Sequence, residues 1–252
     1  MSLVRLRSSV WPYVASIAAL LVLWEIAASL AASRVLPPPM TVLRVLQRDI
    51  ADGTLPYHLV VTLARVAVSF FLALLIGSAI GIVMGRSVLL DRLGDAWLIV
   101  FLNLPALVTI VLCYVWFGLT EAAAVLAVTV NKIPNVVVTV REGARALSRD
   151  LLEMAQVFQF GRYKTLRHVV LPALGPFIIA AARSGLAIVW KIVLVVELLG
   201  RSSGIGFQIG LFFQLFDVAA ILAYTIAFVA VIQILELGVL QPLERRASRW
   251  RR

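Results

Sequence analysis

Five residues inside long apolar segments carry side chains that could contact a solute or an ion: Lys132, Arg183, Trp190, Lys191 and Glu197. Ionisable groups are costly inside a bilayer, so they often mark pathways across it. Arg183, Trp190 and Glu197 are seven residues apart, which predicts one helix face and a polar stripe along a path. A structural interpretation is favoured for Arg183, reaching water or a loop, and for Glu197, at the outer surface. For Lys132 and Lys191 both interpretations stay open.

Residues typical of enzymes or metal sites form no recognisable pattern. The single cysteine, Cys113, lies in an apolar run, and His58 and His168 have no metal-ligand spacing around them. No nucleophile is paired with a base, and the phosphate-binding pattern G-x-x-x-x-G-K-[S/T] is missing from the sequence. We therefore expect no covalent catalysis, no metal and no bound cofactor on this chain.

The composition predicts an all-α integral membrane protein. Hydrophobic residues make up 62% of the 252 residues and charged residues 14%, whereas soluble domains have about 45–50% and about 25%. Lipid explains the excess, because it allows a protein to be apolar outside as well as inside. The net charge of +10 does not indicate nucleic-acid binding, since the charges cluster between apolar runs as topogenic charges do.

Six apolar runs are long enough to cross a hydrocarbon core of about 30 Å. They cover 11–32, 59–84, 94–116, 119–140, 173–196 and 217–241. The first run is longer than the apolar part of a signal peptide, so we expect an uncleaved helix. The prolines at 37–39 should break the chain after it, and a short helix at 41–49 should lie on the outer surface.

The distribution of Lys and Arg predicts the orientation. With the N-terminus in the cytoplasm, the inner segments hold fifteen Lys and Arg residues and the outer segments hold four. Inner loops of membrane proteins carry the excess of these residues. Both termini are therefore expected in the cytoplasm, and the basic tail at 244–252 with them.

The inner loop at 146–172 has a pattern of its own. Ser148 can cap a helix, and apolar residues including Ala155 and Phe158 follow at helical spacing. Gly161 can end that helix in a left-handed conformation. Such a helix either docks in a groove of a partner protein or lies on the membrane surface, and amphipathicity alone does not separate the two.

The same loop resembles the EAA loop of binding-protein-dependent ABC importer permeases. The family pattern is E-A-A, three residues, G, nine residues and I-x-L-P, and the chain matches it from Glu153 to Pro172. Two positions depart: Met154 replaces an alanine, and Gln159 stands at the family's glycine, with Gly161 two residues later. The departure at Gln159 leaves the position of the bend after the helix open.

Other segments resemble the nitrate, sulfonate and taurine branch of this family. In chain order they are L-P-P-P at 36–39, T-L-A-R at 62–65, glycines at 77, 81 and 85, W-F-G at 116–118, E-L-L at 197–199, S-G-I-G at 203–206 and L-E-R-R at 243–246. Glycines four apart also allow close helix packing.

The resemblance implies a type I ABC importer permease of the bacterial inner membrane. Residues 1–58 would form the first helix and outer loop, 59–243 the transmembrane core, and 244–252 the tail. The permease would pair with a second copy, with two ATPases that bind ATP and Mg²⁺, and with an extracytoplasmic binding protein. It would import a small solute, an anion such as a sulfonate, taurine or nitrate, by alternating access.

The family's coupling residues correspond here to Glu153, Met154, Ala155, Phe158, Gln159 and Gly161. The alternative is an ion-coupled secondary transporter, which usually shows inverted repeats that we do not find here.

Overall fold

The computed structural model describes residues 11–31, 33 and 35–240. Every regular element in these residues is helical. The helices are α1 (Trp11–Ala31), α2 (Pro39–Ala51), α3 (Thr54–Arg86), α4 (Val88–Asn103), α5 (Ala106–Phe117), α6 (Glu121–Arg145), α7 (Arg149–Val157), α8 (Arg162–Thr165), α9 (Leu171–Gly200), α10 (Ile205–Gln214) and α11 (Val218–Leu235). Two π-helical turns, Leu166–Val170 and Glu236–Leu240, precede α9 and extend α11. The predicted basic tail at 244–252 lies outside the described residues.

The centre of the molecule is α6, which packs between α3 and α9. Three glycines of α3 make the first contact possible. A methyl group at Gly77 would meet the Val136 side chain, and one at Gly85 would lie 2.7 Å from the Arg141 carbonyl oxygen. The predicted packing role of the glycines at 77, 81 and 85 is thus confirmed.

The predicted membrane spans are present, but the third is not one straight helix. Five helical segments are long and apolar enough to cross a bilayer, and α4 with α5 makes a sixth if this pair counts as one span. The two helices of the pair meet at 97°. Pro105 lacks an amide hydrogen and holds Leu104 in an extended conformation, which ends α4. The span predicted at 94–116 is therefore formed by a bent pair of helices.

The short helix predicted at 41–49 is present as α2. It packs against α11 and the start of α3, and Val42 is buried in this contact. We call the end of the molecule that carries α2 and α10 the α10 end, and the opposite end, which carries α7, the α7 end.

Helix α10 is an element that the sequence analysis missed. After α9 the chain turns back through Arg201 and Gly204, and α10 then runs beside the last turns of α9. Gly206 lies against Leu194 and Glu197, and Gly210 lies against Leu198. Gly204 has a φ of 108°, which side chains rarely adopt. A ten-residue helix of this kind is too short to register as a span.

Candidate coupling helix and polar sites

The helix predicted in the loop at 146–172 is α7, and its beginning follows the prediction. The Ser148 hydroxyl accepts a hydrogen bond from the Asp150 amide. Asp150 also places a carboxylate in the first turn, where the helix dipole favours negative charge. The helix therefore has a fixed start, and only three residues separate it from Arg145 at the end of α6.

The end of α7 differs from the prediction. The left-handed residue is Gln159, with a φ of 54°, and Gly161 instead has an extended conformation at the start of α8. The Gln159 amide donates to the Gln156 carbonyl and the Phe160 amide donates to the Ala155 carbonyl, which is the Schellman pattern of helix ends. The bend thus lies where the resembled family has glycine, and a glutamine adopts the conformation here.

The exposed surface of α7 is rich in apolar side chains. Val157 and Phe158 are 79% and 68% exposed, and Leu151 and Met154 about half as much. Glu153 is also exposed, whereas Ala155 is buried within the chain. The predicted coupling residues therefore divide into an exposed group and Ala155, which cannot contact a partner directly.

The predicted stripe of Arg183, Trp190 and Glu197 is not one surface. Arg183 is exposed, Trp190 packs edge-on against Phe228 of α11, and Glu197 is completely buried. The three residues share a direction on α9, but the neighbouring helices change along its length. Glu197 lies at the α10 end, where it is buried and not exposed at a surface.

The two predicted lysines lie in different environments. Lys191 is exposed on α9, and Lys132 on α6 is 2% exposed. The Lys132 side chain lies directly against the backbone of Gly185 on α9. Lys191 is not paired with Glu197, because the Glu197 carboxylate binds Thr62, Arg65 and the Gly206 amide.

Those partners form a buried polar network that begins at the first turn of α10. The amides of Gly204, Ile205 and Gly206 donate to His58 Nδ1, Thr62 Oγ1 and Glu197 Oε2, at 2.8–2.9 Å. Amides at a helix start have no partner within the helix. Side chains of α3 and α9 supply those partners, so α10 is fixed to both helices.

Arg65 of α3 joins this network to α6. Its guanidinium group contacts Glu197 at 2.7 Å and both oxygens of Glu121 at 2.6 and 2.9 Å. It also donates to the carbonyl oxygen and the hydroxyl of Ser203. Arg201 donates to the same Glu121 at 2.5 Å. Two cations and two carboxylates therefore bind together four helical elements at the α10 end.

A second ionic cluster lies near the α7 end. Arg141 of α6 contacts Asp95 of α4 at 2.6 Å, and Arg145, one turn later, pairs with Asp91. Both pairs use residues four apart on each helix, so they form a two-rung ladder. The ladder fixes the start of α4 to the last turn of α6, directly before α7.

The sequence contained signals for some residues of the network at the α10 end, but not for the residues that pair with them. The segments at 62–65, 197–199 and 203–206 were identified as family segments, and the structure brings them into contact. Glu121, Arg201 and the ladder residues were not identified. Within the part of the chain that the structure describes, no three His, Cys, Asp or Glu residues are grouped to hold a metal ion.

Comparison with known proteins explains this combination of spans, loop and motifs. The family described as "Binding-protein-dependent transport system inner membrane component" matches residues 73–240. The putative aliphatic sulfonates transport permease protein SsuC of Bacillus subtilis is 30% identical over 236 residues, 93% of this chain and 85% of that protein. The taurine transport system permease protein TauC of Escherichia coli is 30% identical over 245 residues, 94% and 88% of the two chains.

Solved structures show the same fold. A chain of the MetNI methionine ABC transporter in an inward-facing conformation has a TM-score of 0.62 at 21% identity, and the match covers 74% of this chain and 92% of that one. The crystal structure of an amino acid ABC transporter with histidines gives a TM-score of 0.60 at 21% identity, covering 80% and 97%. The resemblance inferred from the EAA loop is thereby confirmed, and the chain belongs to the binding-protein-dependent transport system inner membrane components, the permease subunits of type I ABC importers.

Proposed function

We propose that this permease imports a small anion, that α7 is the helix through which a separate ATPase drives it, and that two copies enclose the path. Two ATPase subunits would bind ATP and Mg²⁺, and a binding protein would deliver the anion at the α10 end. The observation that carries the proposal is the exposed apolar surface of α7, which a protein groove would cover.

The location of α7 supports its role as a lever. Three residues separate it from α6, the helix at the centre of the fold, and the ladder of Arg141 and Arg145 fixes the end of α6 to α4. A displacement of α7 would therefore move α6 and α4 together. Rigid-body movements of this kind underlie alternating access.

The test of this role is the association of the permease with its ATPase. Val157→Asp places a charge in the proposed contact, and Glu153→Lys reverses one beside it. Both variants should insert in the membrane and lose most of the ATPase on co-purification, together with substrate-stimulated hydrolysis. Asp52→Lys, a charge reversal at the α10 end, is the control and should retain both. Normal ATPase recovery with Val157→Asp and Glu153→Lys would exclude α7 as the contact.

The exposed side of α9 supports a path between two permease copies. Lys191 is exposed there, nine residues before the helix ends, so it lies about 14 Å from that end at 1.5 Å per residue. A cation facing lipid at this depth costs several kcal/mol by most estimates. Water or a second subunit is a better neighbour, which supports a path-facing position for Lys191.

The proposed cargo rests on charge and on the relatives. A cation on each of two facing copies of α9 would attract an anion to the path. The similar proteins are described as permeases for aliphatic sulfonates, taurine and, in Synechococcus elongatus, bicarbonate, all of which carry an anionic group. Loss of uptake with Lys191→Met, at matched expression, tests the position of Lys191. Undiminished uptake would remove this residue from the path.

The orientation completes the proposal: the α7 end should face the cytoplasm. Cysteines introduced at Ser87, between α3 and α4, should be protected from an impermeant thiol reagent in intact cells. Cysteines introduced at Asp52, at the end of α2, should react. The reverse pattern would overturn the orientation and place α7 out of reach of a cytoplasmic ATPase.

A further inference from the structure

Lys132 is a buried lysine that has no counterion among the residues that the structure describes. It lies near the middle of α6, and only 2% of its surface is exposed. Among the residues that the structure describes, none forms an ion pair or a hydrogen bond with its ammonium group. An isolated charge is far more costly inside a protein than a paired one, so this arrangement calls for an explanation.

The carboxylates of the surrounding helices are already engaged. Lys132 projects from α6 towards α9, and α6 also packs against α3. Helix α3 contains no Asp or Glu. Glu197 of α9 binds Arg65, and Glu121 and Glu142 of α6 bind Arg65 and Arg145. A counterion for Lys132 must therefore come from outside these three helices.

Gly185 leaves the space that the ammonium group occupies. A methyl group at position 185 would overlap the Cε and Nζ atoms of Lys132. These atoms are the mobile end of a long side chain, so a larger residue at 185 would displace the ammonium group while the helices stay in place. The adjacent Ser184 is exposed, and so is Lys191 two turns further along α9. The ammonium group thus lies beside the side of α9 proposed to face the path.

We infer that the Lys132 ammonium group, held at Gly185, is a binding point for the anionic group of the cargo, a sulfonate, carboxylate or similar small oxyanion. This inference rests on the proposed function. A lipid phosphate is a poor alternative, because Lys132 lies near the middle of α6, whereas lipid phosphates lie at the membrane surface. When no cargo is present, the cation has no partner; when an anion enters, the two charges neutralise each other, so the site favours anions over neutral solutes.

The experiment removes the charge and then restores it chemically. Uptake of taurine, methanesulfonate and bicarbonate is measured in cells that express the complete transporter, with Cys113→Ala in the permease so that no native cysteine remains in this chain. Lys132→Cys should lower uptake of the transported anion by about tenfold or more, equivalent to about 1.4 kcal/mol. Treatment with 2-aminoethyl methanethiosulfonate restores a cation at position 132 and should restore uptake. The 2-sulfonatoethyl reagent, which adds an anion, and the methyl reagent, which adds no charge, should not restore uptake.

Two glycine variants of α9 form a matched pair. Gly185→Ala should lower uptake because it displaces the ammonium group. Gly175→Ala lies on the same helix with no atom near the added methyl group, and should leave uptake unchanged. ATPase co-purification is followed in every variant, and should stay normal.

Each outcome separates the inference from the proposed function. If the Cys113→Ala transporter imports none of the three anions, the cargo proposal fails and the inference fails with it. If it imports an anion and Lys132→Cys does not change the rate, the inference alone is wrong. Equal rescue by the methyl reagent would show that Lys132 acts through its volume, and a thiol at position 132 that reacts with no reagent would place it away from the path. Both results would overturn the inference.

Discussion

Replacing Glu197 should destabilise the permease much more than replacing Glu121, the other carboxylate that binds Arg65 at the α10 end. Glu197 is completely buried and accepts hydrogen bonds from Arg65 at 2.7 Å, Thr62 at 2.9 Å and the Gly206 amide at 2.8 Å. Removing one member of a buried ion pair costs about 3–5 kcal/mol, because the other charge stays buried. For a chain of this size, 1 kcal/mol corresponds to about 2–4 °C in Tm, so Glu197→Ala should lower Tm by about 10 °C.

The matched control is Glu121, which binds the same arginine. Its side chain is 55% exposed, and exposed ion pairs contribute only about 0–1 kcal/mol. Glu121→Ala should therefore lower Tm by a few degrees at most. Glu197→Gln keeps hydrogen-bonding atoms but loses the charge, and should give an intermediate value.

The assay is thermal unfolding of the purified permease in detergent, followed by the fluorescence of its six tryptophans. The expected order of Tm is wild type, Glu121→Ala, Glu197→Gln and Glu197→Ala, from highest to lowest. A Tm for Glu197→Ala equal to or above that of Glu121→Ala would refute the assignment of Glu197 as the buried anchor of α10.

Three further predictions use the same unfolding assay. Gln159→Gly should stabilise the protein by about 1 kcal/mol, because glycine adopts the left-handed conformation without strain. Gln156→Gly, inside α7, should destabilise it by about 0.5–1 kcal/mol. A change in stability of the same sign for both variants would contradict the assignment of the bend. Gly85→Val should cost about 1–3 kcal/mol through its clash with α6, and Gly175→Val, in open space, should cost clearly less. Asp91→Arg should lower Tm, and adding Arg145→Asp should recover part of the loss; no recovery would show that the ladder contributes nothing.

Much of the fold follows from local features of the sequence. The apolar runs predict the spans because lipid contact requires apolarity over a fixed length. The start of α7 follows from Ser148, and the packing of α3 on α6 follows from Gly77, Gly81 and Gly85. Each of these signals lies within a few residues of the structure that it determines.

The features that the sequence analysis missed depend on distant partners. The run at 94–116 stays apolar through Pro105, so hydropathy does not reveal the bend there. The environment of Glu197 is set by Arg65, 132 residues away, and by α10, which is too short to register as a span. Gly161 is the better residue for a left-handed conformation, but the hydrogen bonds of Phe160 and Gln159 with α7 place the bend at Gln159. In each case, tertiary contacts decide between locally acceptable alternatives.

The measurement that tests the central claim most directly is transport by purified components in proteoliposomes. The permease, the ATPase and the binding protein that should be encoded beside it are combined, and uptake of a radiolabelled sulfonate is followed with ATP present on the α7 side. We predict uptake that requires all three proteins and ATP hydrolysis that rises when loaded binding protein is added. Uptake by the permease alone, driven by an ion gradient and indifferent to ATP, would contradict the account and favour a secondary transporter.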